Sequence, residues 1–168
     1  FINYLIFNFL ISFLEAGIYF FNIKNSVIFR IHTGKIPEVF ERRYVYDYTE
    51  PLDVNRMRKA AEYLCGTHDF KSFCGNKKMK KSTVRTISRI QIKELPGEIQ
   101  IYYTGNGFLQ NMVRILTGTL IEIGDGRRTP EDVSEILEAK NRERAGYTAP
   151  ACGLTLLEVI YGKMVCNK

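Results

Sequence analysis

The stretch GNGFLQNMVRILTGTLIEIG, residues 105–124, decides how the rest of the chain is read. Between Phe108 and Ile121 it carries Phe108, Leu109, Met112, Val113, Ile115, Leu116, Leu120 and Ile121. At helical pitch these side chains occupy most of the circumference, which predicts a helix inside the protein rather than on its surface. Arg114 is the one charge in the middle of it. A guanidinium does not neutralise itself, so a buried one needs a carboxylate or phosphate to hold it. An arginine that snorkels to the edge and makes a structural ion pair is the alternative, and spacing alone leaves both open.

Outward from this helix on its N-terminal side, residues 83–94 read as a strand, with Ile90 and Ile92 alternating against Gln91 and Lys93. Pro96-Gly97 turns the chain, and Glu98–Thr104 returns with Ile99, Ile101 and Tyr103 on one face. Ahead of that hairpin, Asp69 to Phe73 reads as one helical turn with both phenylalanines inward. Asp53 caps a helix that runs to about Leu64, with Val54, Met57, Ala61 and Leu64 on one stripe and Gly66 as the stop. Arg42–Tyr48, RRYVYDY, is aromatic and β-prone and is predicted as a strand.

On the C-terminal side, Gly124-Asp125-Gly126 is too short for a phosphate-gripping loop and reads as a turn. Thr129 suits an N-cap, Pro130 the first helical position and Asp132 a capping-box-like pattern, with Val133, Ile136 and Leu137 as the buried stripe. Leu154–Tyr161 is a last strand whose near-continuous hydrophobicity predicts a central place in the sheet. The order strand, helix, hairpin, buried helix, surface helix, strand gives an α+β fold, with helices on a mostly antiparallel sheet.

The chain has 168 residues, 45% hydrophobic and 25% charged, enough for one domain with a real core. Its 24 Lys+Arg against 18 Asp+Glu leave a net charge of +6, which favours a polyanionic partner. The four cysteines form no CxxC pair and no metal-ligand spacing with histidine, so they read as reduced thiols without a zinc site. From Phe70 to Lys93 there is no acid, while Lys71, Lys77, Lys78, Lys80, Lys81, Arg85, Arg89 and Lys93 are all basic. Such a run is either a solvated face or a set of cations projecting toward a phosphate backbone.

Residues 1–23 carry a single charge, Glu15. By length they could span a bilayer, but Asn3, Asn8, Ser12 and Glu15 and the lack of flanking basic clusters speak against it. A membrane anchor, a buried core segment and upstream DNA read through after a gene break are the three readings of the apolar leader. Its boundary is set at residue 36, with the folded domain at 37–161 and a tail at 162–168.

Six segments then occur in one order: RRYVY (42–46), FKSFCG (70–75), STVRTI (82–87), GNGFLQNMVRILTGTLIEIGDGR (105–127), EDVSEILEAKNR (131–142) and TAPACGLTLLEVIY (148–161). Together they resemble the C-terminal half of bacterial tRNA pseudouridine synthase A, the tRNA pseudouridine(38–40) synthase family. The resemblance covers residues 37 to 161. It implies a pseudouridine-synthase-like fold and an isomerase of the cytoplasm that converts uridine to pseudouridine in the anticodon arm of tRNA. No cofactor and no metal are implied. The partners implied are the anticodon stem-loop and, in the full-length family, a second copy in a homodimer.

By the same resemblance, Arg114 stands at the arginine that pairs with the family's nucleophilic aspartate. Tyr44 takes the role of the tyrosine lying against the target base, and Leu154 packs under the site. Arg42, Arg43, Lys77, Lys78, Lys80, Lys81 and Arg85 are assigned to the tRNA backbone from charge, not from matched motif positions. One departure is large. The family's nucleophile lies in a GRTDxGVHA-like segment, and none of Asp47, Asp53, Asp69, Asp125 and Asp132 has that motif around it. The expectation is an N-terminally truncated member that is inactive alone. A non-catalytic RNA-binding module and a membrane-tethered protein anchored through 1–23 are the alternatives.

Overall fold

The computed structural model describes residues 18–20, 24–34, 40–76, 78–161 and 164–166. In chain order its strands are β1 (Ile18–Phe20), β2 (Lys24–His32), β3 (Tyr46–Asp47), β4 (Gly66–Asp69), β5 (Val84–Leu95), β6 (Glu98–Gly105), β7 (Leu154–Ile160) and β8 (Met164–Cys166). The helices are α1 (Val54–Leu64), α2 (Met112–Gly124) and α3 (Asp132–Ala139), with single 3-10 turns at 70–73, 142–144 and 151–153.

The hairpin β5–β6 forms as the alternation predicts. Ile99, Ile101 and Tyr103 are buried, and Gly97 takes the positive φ of +75 that its tight turn requires. The other flank of β6 holds a strand that the sequence does not announce. β2 pairs antiparallel along it from Asn25–Gly105 to His32–Glu98. β2 is then covered on its far side by β7, antiparallel, and by β3, parallel over two residues. The main sheet runs β3-β2-β6-β5-β4, with β7 also on β2, and is antiparallel apart from that one short pair.

This corrects the domain boundary. Lys24–His32 is an internal strand of the sheet, with Phe29 and Ile31 fully buried, so the folded unit includes residues assigned to the leader. Ile18–Phe20 pairs with Met164–Cys166 in a separate two-stranded ribbon, which also brings part of the proposed tail into a strand. The rest of the 1–23 segment read as a possible anchor lies outside the described residues. Among the described residues no helix is long and apolar enough to cross a membrane.

Three further expectations change. RRYVYDY is not a continuous strand: residues 40–44 form a turn, and only Tyr46–Asp47 pair with β2. The turn is held by Arg30, which bonds Glu41 and Glu98, a tertiary contact that outweighs the local β preference. β7 is not central. Among the described residues it pairs with β2 alone, and Leu157 and Ile160 are 50% and 45% exposed. The buried helix starts at Met112, not Phe108. Gly107 and Asn111 take φ values of +140 and 57, outside the right-handed helical region, and keep 105–111 irregular.

The helices pack on the sheet face that carries Val27, Phe29, Ile31, Ile99, Ile101 and Tyr103. Asp53 caps α1 through bonds from the Asn55 and Arg56 N–H groups, and Val54, Met57, Ala61 and Leu64 form the buried stripe. α2 is buried at every position from Met112 to Gly124 except Arg114 and Glu122. At the entry to α3, the Thr129 N–H and hydroxyl both donate to Asp132, at 3.0 and 2.9 Å, and Val133 and Ile136 are buried.

Candidate active site

The site is built around the first turn of α2. Gly105 can end β6 there because its α-carbon lies against β5; a Cβ on it would stand 2.6 Å from the Thr86 carbonyl oxygen. Asn106 then ties the loop to β5 from both sides, donating its N–H to Thr86 O at 3.0 Å and accepting the Thr86 N–H at 2.9 Å. Leu109 turns inward, and Asn111 opens the helix. Three residues on, Arg114 is half-buried.

Its guanidinium is held by neutral oxygens. The Nε–H donates to the Ala149 carbonyl at 2.6 Å and Nη1 to Asn111 Oδ1 at 3.1 Å. No carboxylate lies within ion-pair distance of it among the described residues, and Nη2 makes no hydrogen bond among them. Among the described residues the partners of the guanidinium are thus a backbone carbonyl and a side-chain amide, not a carboxylate. What remains is a cation with donors to spare at the edge of an apolar helix.

The loop carrying Ala149 is itself firmly placed. Arg142 donates to the carbonyls of Ala145 and Gly146 and to the Thr148 hydroxyl. Burial lowers the hold of that guanidinium on its proton. The Gly146 N–H donates to Thr119 Oγ1 on α2 at 3.0 Å, and the Ala149 N–H donates to Arg114 O at 3.1 Å. Leu154 follows at the start of β7, half-buried and packed on the core opposite Phe29.

The basic segment reaches the same end of the sheet. Gly75 donates its N–H to Gln110 O at 2.8 Å, so the loop from Gly75 to β5 starts against the N-terminus of α2. Lys78, Lys80 and Lys81 on this loop are exposed; Lys77 lies outside the described residues. Arg85 instead folds back on its own strand, its Nη1 bonding the Ser82 and Val84 carbonyls, with its Nε near Gly107. Arg42, Arg43 and Tyr44 are elsewhere. Their turn sits at the Glu98 end of β6, whereas α2 begins beyond Gly105 at the opposite end. Tyr44 is 62% exposed. The lysine loop thus starts against the residues that lead into α2, Leu154 stands opposite Phe29 in the sheet, and Arg42, Arg43 and Tyr44 lie on the 40–44 turn.

A second polar cluster lies at the other end of α2. The Tyr48 hydroxyl donates to Asp125 Oδ2 at 2.6 Å, and Arg127 grips the same carboxylate through Nε and Nη2. Burial and the Asp125 charge push the Tyr48 phenol up to about 12, so it stays a donor at neutral pH. This cluster is internally satisfied and fastens β3 to the helix end.

Comparison with known proteins follows the geometry. The model of a family described as tRNA pseudouridine synthase matches residues 60–162, which contain the α2 site, the lysine loop and β7. The chain belongs to the tRNA pseudouridine synthase family. Among curated relatives, tRNA pseudouridine synthase A 1 of Bacillus cereus is 49% identical over 138 residues, 82% of this chain and 56% of the relative. tRNA pseudouridine synthase A of Bacillus subtilis is 46% identical over 139 residues, 83% of this chain and 56% of the relative. The Bacillus velezensis protein of the same name is 49% identical over 131 residues, 78% of this chain and 53% of the relative. The chain therefore spans little more than half the length of these tRNA pseudouridine synthases. Its mixed α+β architecture with a mostly antiparallel sheet is consistent with the fold of the family.

Asn111 and Ala149 escape the sequence reading. Asn111 stands just before the helix in a left-handed conformation, so helical spacing does not report its contact to Arg114. Ala149 acts through its backbone from 35 residues away, and no local signal reports that.

Proposed function

We propose that this chain supplies the arginine side of a tRNA pseudouridine synthase site acting on the anticodon arm, and that the nucleophilic aspartate comes from polypeptide outside these 168 residues. The observation that carries this reading is Arg114. It is oriented by two neutral acceptors, keeps Nη2 unspent among the described residues, and lies four residues from Gln110, whose carbonyl accepts from Gly75 at the start of the exposed lysine loop. A carboxylate brought against this guanidinium would be favoured in its ionised form, the form a nucleophile needs. Lys78, Lys80 and Lys81 would hold the tRNA backbone and contribute salt-dependent affinity without reading bases. Leu154 would pack beneath the site. Tyr44, Arg42 and Arg43 lie on the exposed 40–44 turn, where a ring and two cations would suit contact with the RNA. Lys77 belongs with the other lysines by sequence.

The test is reconstitution. The chain is co-expressed with the part of the Bacillus cereus relative that lies outside the match, and pseudouridine is measured on a tRNA transcript by mass spectrometry. Turnover is expected from the pair, none from the chain alone, and none from the pair carrying Arg114→Ala. Turnover by the chain alone would overturn the need for an external carboxylate. A pair that associates and binds tRNA but stays inactive would overturn the catalytic reading.

A second reading, a non-catalytic RNA-binding module, is favoured by the lysine loop alone. It predicts steep salt dependence of tRNA binding by the isolated chain and no effect of Arg114→Ala on that slope. The family's homodimer is part of the first reading, and sedimentation of the reconstituted pair tests it.

A further inference from the structure

Asn111 occupies the position immediately before α2, where an asparagine ordinarily turns its side-chain oxygen back onto the N–H groups of the first turn. It does not do so here. Its backbone is left-handed, φ 57 and ψ 7, and its side chain makes no cap hydrogen bond. The Oδ1 atom instead accepts from Arg114 Nη1 at 3.1 Å. The opposite side of the same amide is walled in by the 73–75 loop: a Cβ on Gly75 would meet Asn111 Nδ2 at 2.9 Å and Gln110 O at 3.1 Å. The helix thus forgoes a cap and takes a backbone state that asparagine tolerates but does not prefer. The contact obtained in exchange is the one to Arg114.

We propose that Asn111 is a positioning residue, setting the Arg114 guanidinium so that Nη2 faces an incoming carboxylate; this rests on the role of Arg114 given above. Two features of the contact fit that task. With Ala149 O on Nε and Asn111 Oδ1 on Nη1, two points fix the plane of the guanidinium. Both acceptors are neutral, so the arginine is oriented while its full charge stays available to a partner. An aspartate at 111 would orient it equally well, but would neutralise it and compete with the incoming group.

The experiment compares wild type with Asn111→Gly and Asn111→Asp. Glycine suits a left-handed φ, so Asn111→Gly keeps the fold and removes only the side-chain acceptor. In the 15N-labelled chain, the Nη protons of Arg114 are expected as separate signals in wild type and Asn111→Asp. In Asn111→Gly they merge, rotation being about tenfold faster once the charge-assisted bond is lost. In the reconstituted pair, Asn111→Gly is expected to lower kcat by about 100-fold with KM nearly unchanged, the cost of a misplaced group. Asn111→Asp is expected to be inactive despite its slow rotation. Unchanged Arg114 signals in Asn111→Gly would overturn the proposal whatever the assay shows. Wild-type turnover by Asn111→Asp would overturn it as well. A silent wild-type pair would sink the assignment of Arg114 and leave the rotation measurement to decide on Asn111.

Discussion

Arg114 and Ala149 bond each other twice: the arginine Nε–H donates to the Ala149 carbonyl at 2.6 Å, and the Ala149 N–H donates to the Arg114 carbonyl at 3.1 Å. One bond uses the side chain and the other only the backbone, so substitution separates them. Lysine at 114 keeps the charge but has no Nε–H in a planar fork, and it cannot serve Ala149 and Asn111 together. Arg114→Lys should therefore lower the unfolding free energy by about 1.5–3 kcal/mol, the usual worth of a hydrogen bond to a charged group. Urea titration checks this, and hydrogen exchange at Ala149 should remain slow because its own N–H bond survives. A variant as stable as wild type would show that the guanidinium contributes nothing to anchoring the loop.

Gly118 gives a prediction in which two effects oppose each other. Replacing a mid-helix glycine by alanine ordinarily stabilises by about 1 kcal/mol through helix propensity. Here a Cβ would stand 2.0 Å from the Tyr147 carbonyl oxygen, a backbone atom that cannot swing aside. Overpacking of a core commonly costs about 1–3 kcal/mol, and a contact this short against backbone belongs at the upper end or beyond. Gly118→Ala should be destabilised by about 2 kcal/mol net, read as a lower urea midpoint. A higher midpoint would mean that the 145–149 loop moves off the helix freely.

How much of this was legible beforehand follows from how local each signal is. α1 could be read because its cap, stripe and stop all lie within 53–66, and the β5–β6 hairpin because Pro96-Gly97 separates two alternating runs. β2 could not. Its alternation is broken by Ile28, buried between the buried Val27 and Phe29, and Asn22 alone parts it from the apolar run before it. β7 departs in the opposite sense: its near-continuous hydrophobicity predicts a central strand, yet Leu157 and Ile160 are exposed on an edge. At the site, Arg114 stood out as a lone charge in an apolar helix. The acceptors that hold it depend on a left-handed residue and on a backbone carbonyl 35 residues away, and neither is written in side-chain pattern.

Phe29 tests whether Lys24–His32 belongs to the folded unit. The ring is fully buried, packs edge-on against Tyr46 at 6.4 Å, and lies close enough to Gly153 that a Cβ there would meet it at 2.6 Å. Truncating a buried phenylalanine to alanine costs about 3–5 kcal/mol. Phe29→Ala should lose most of the cooperative thermal transition followed by circular dichroism. If the transition is unaffected, β2 is dispensable and the boundary belongs after it.

Asp69 predicts the acid limb of stability. Its Oδ1 accepts from the Thr83 hydroxyl and the Lys71 N–H, and Lys140 Nζ lies 3.2 Å from Oδ2, so one carboxylate joins the 70–73 turn, the approach to β5 and the end of α3. The Thr83 bond, opposed by partial burial and aided by Lys140, holds the carboxyl below its ordinary range. The folded state then binds this proton more weakly than the unfolded state does. The resulting stabilisation is complete above the unfolded value, about 3.9, and drains away as pH falls through the folded one. Asp69→Asn lacks that contribution. Wild type should exceed it by about 1–2 kcal/mol across roughly pH 5–8, and the gap should narrow below about pH 4. Urea midpoints measured at several pH values decide the matter; a gap that widens toward acid would mean that Asp69 is held protonated in the fold, opposite to what its three donors require.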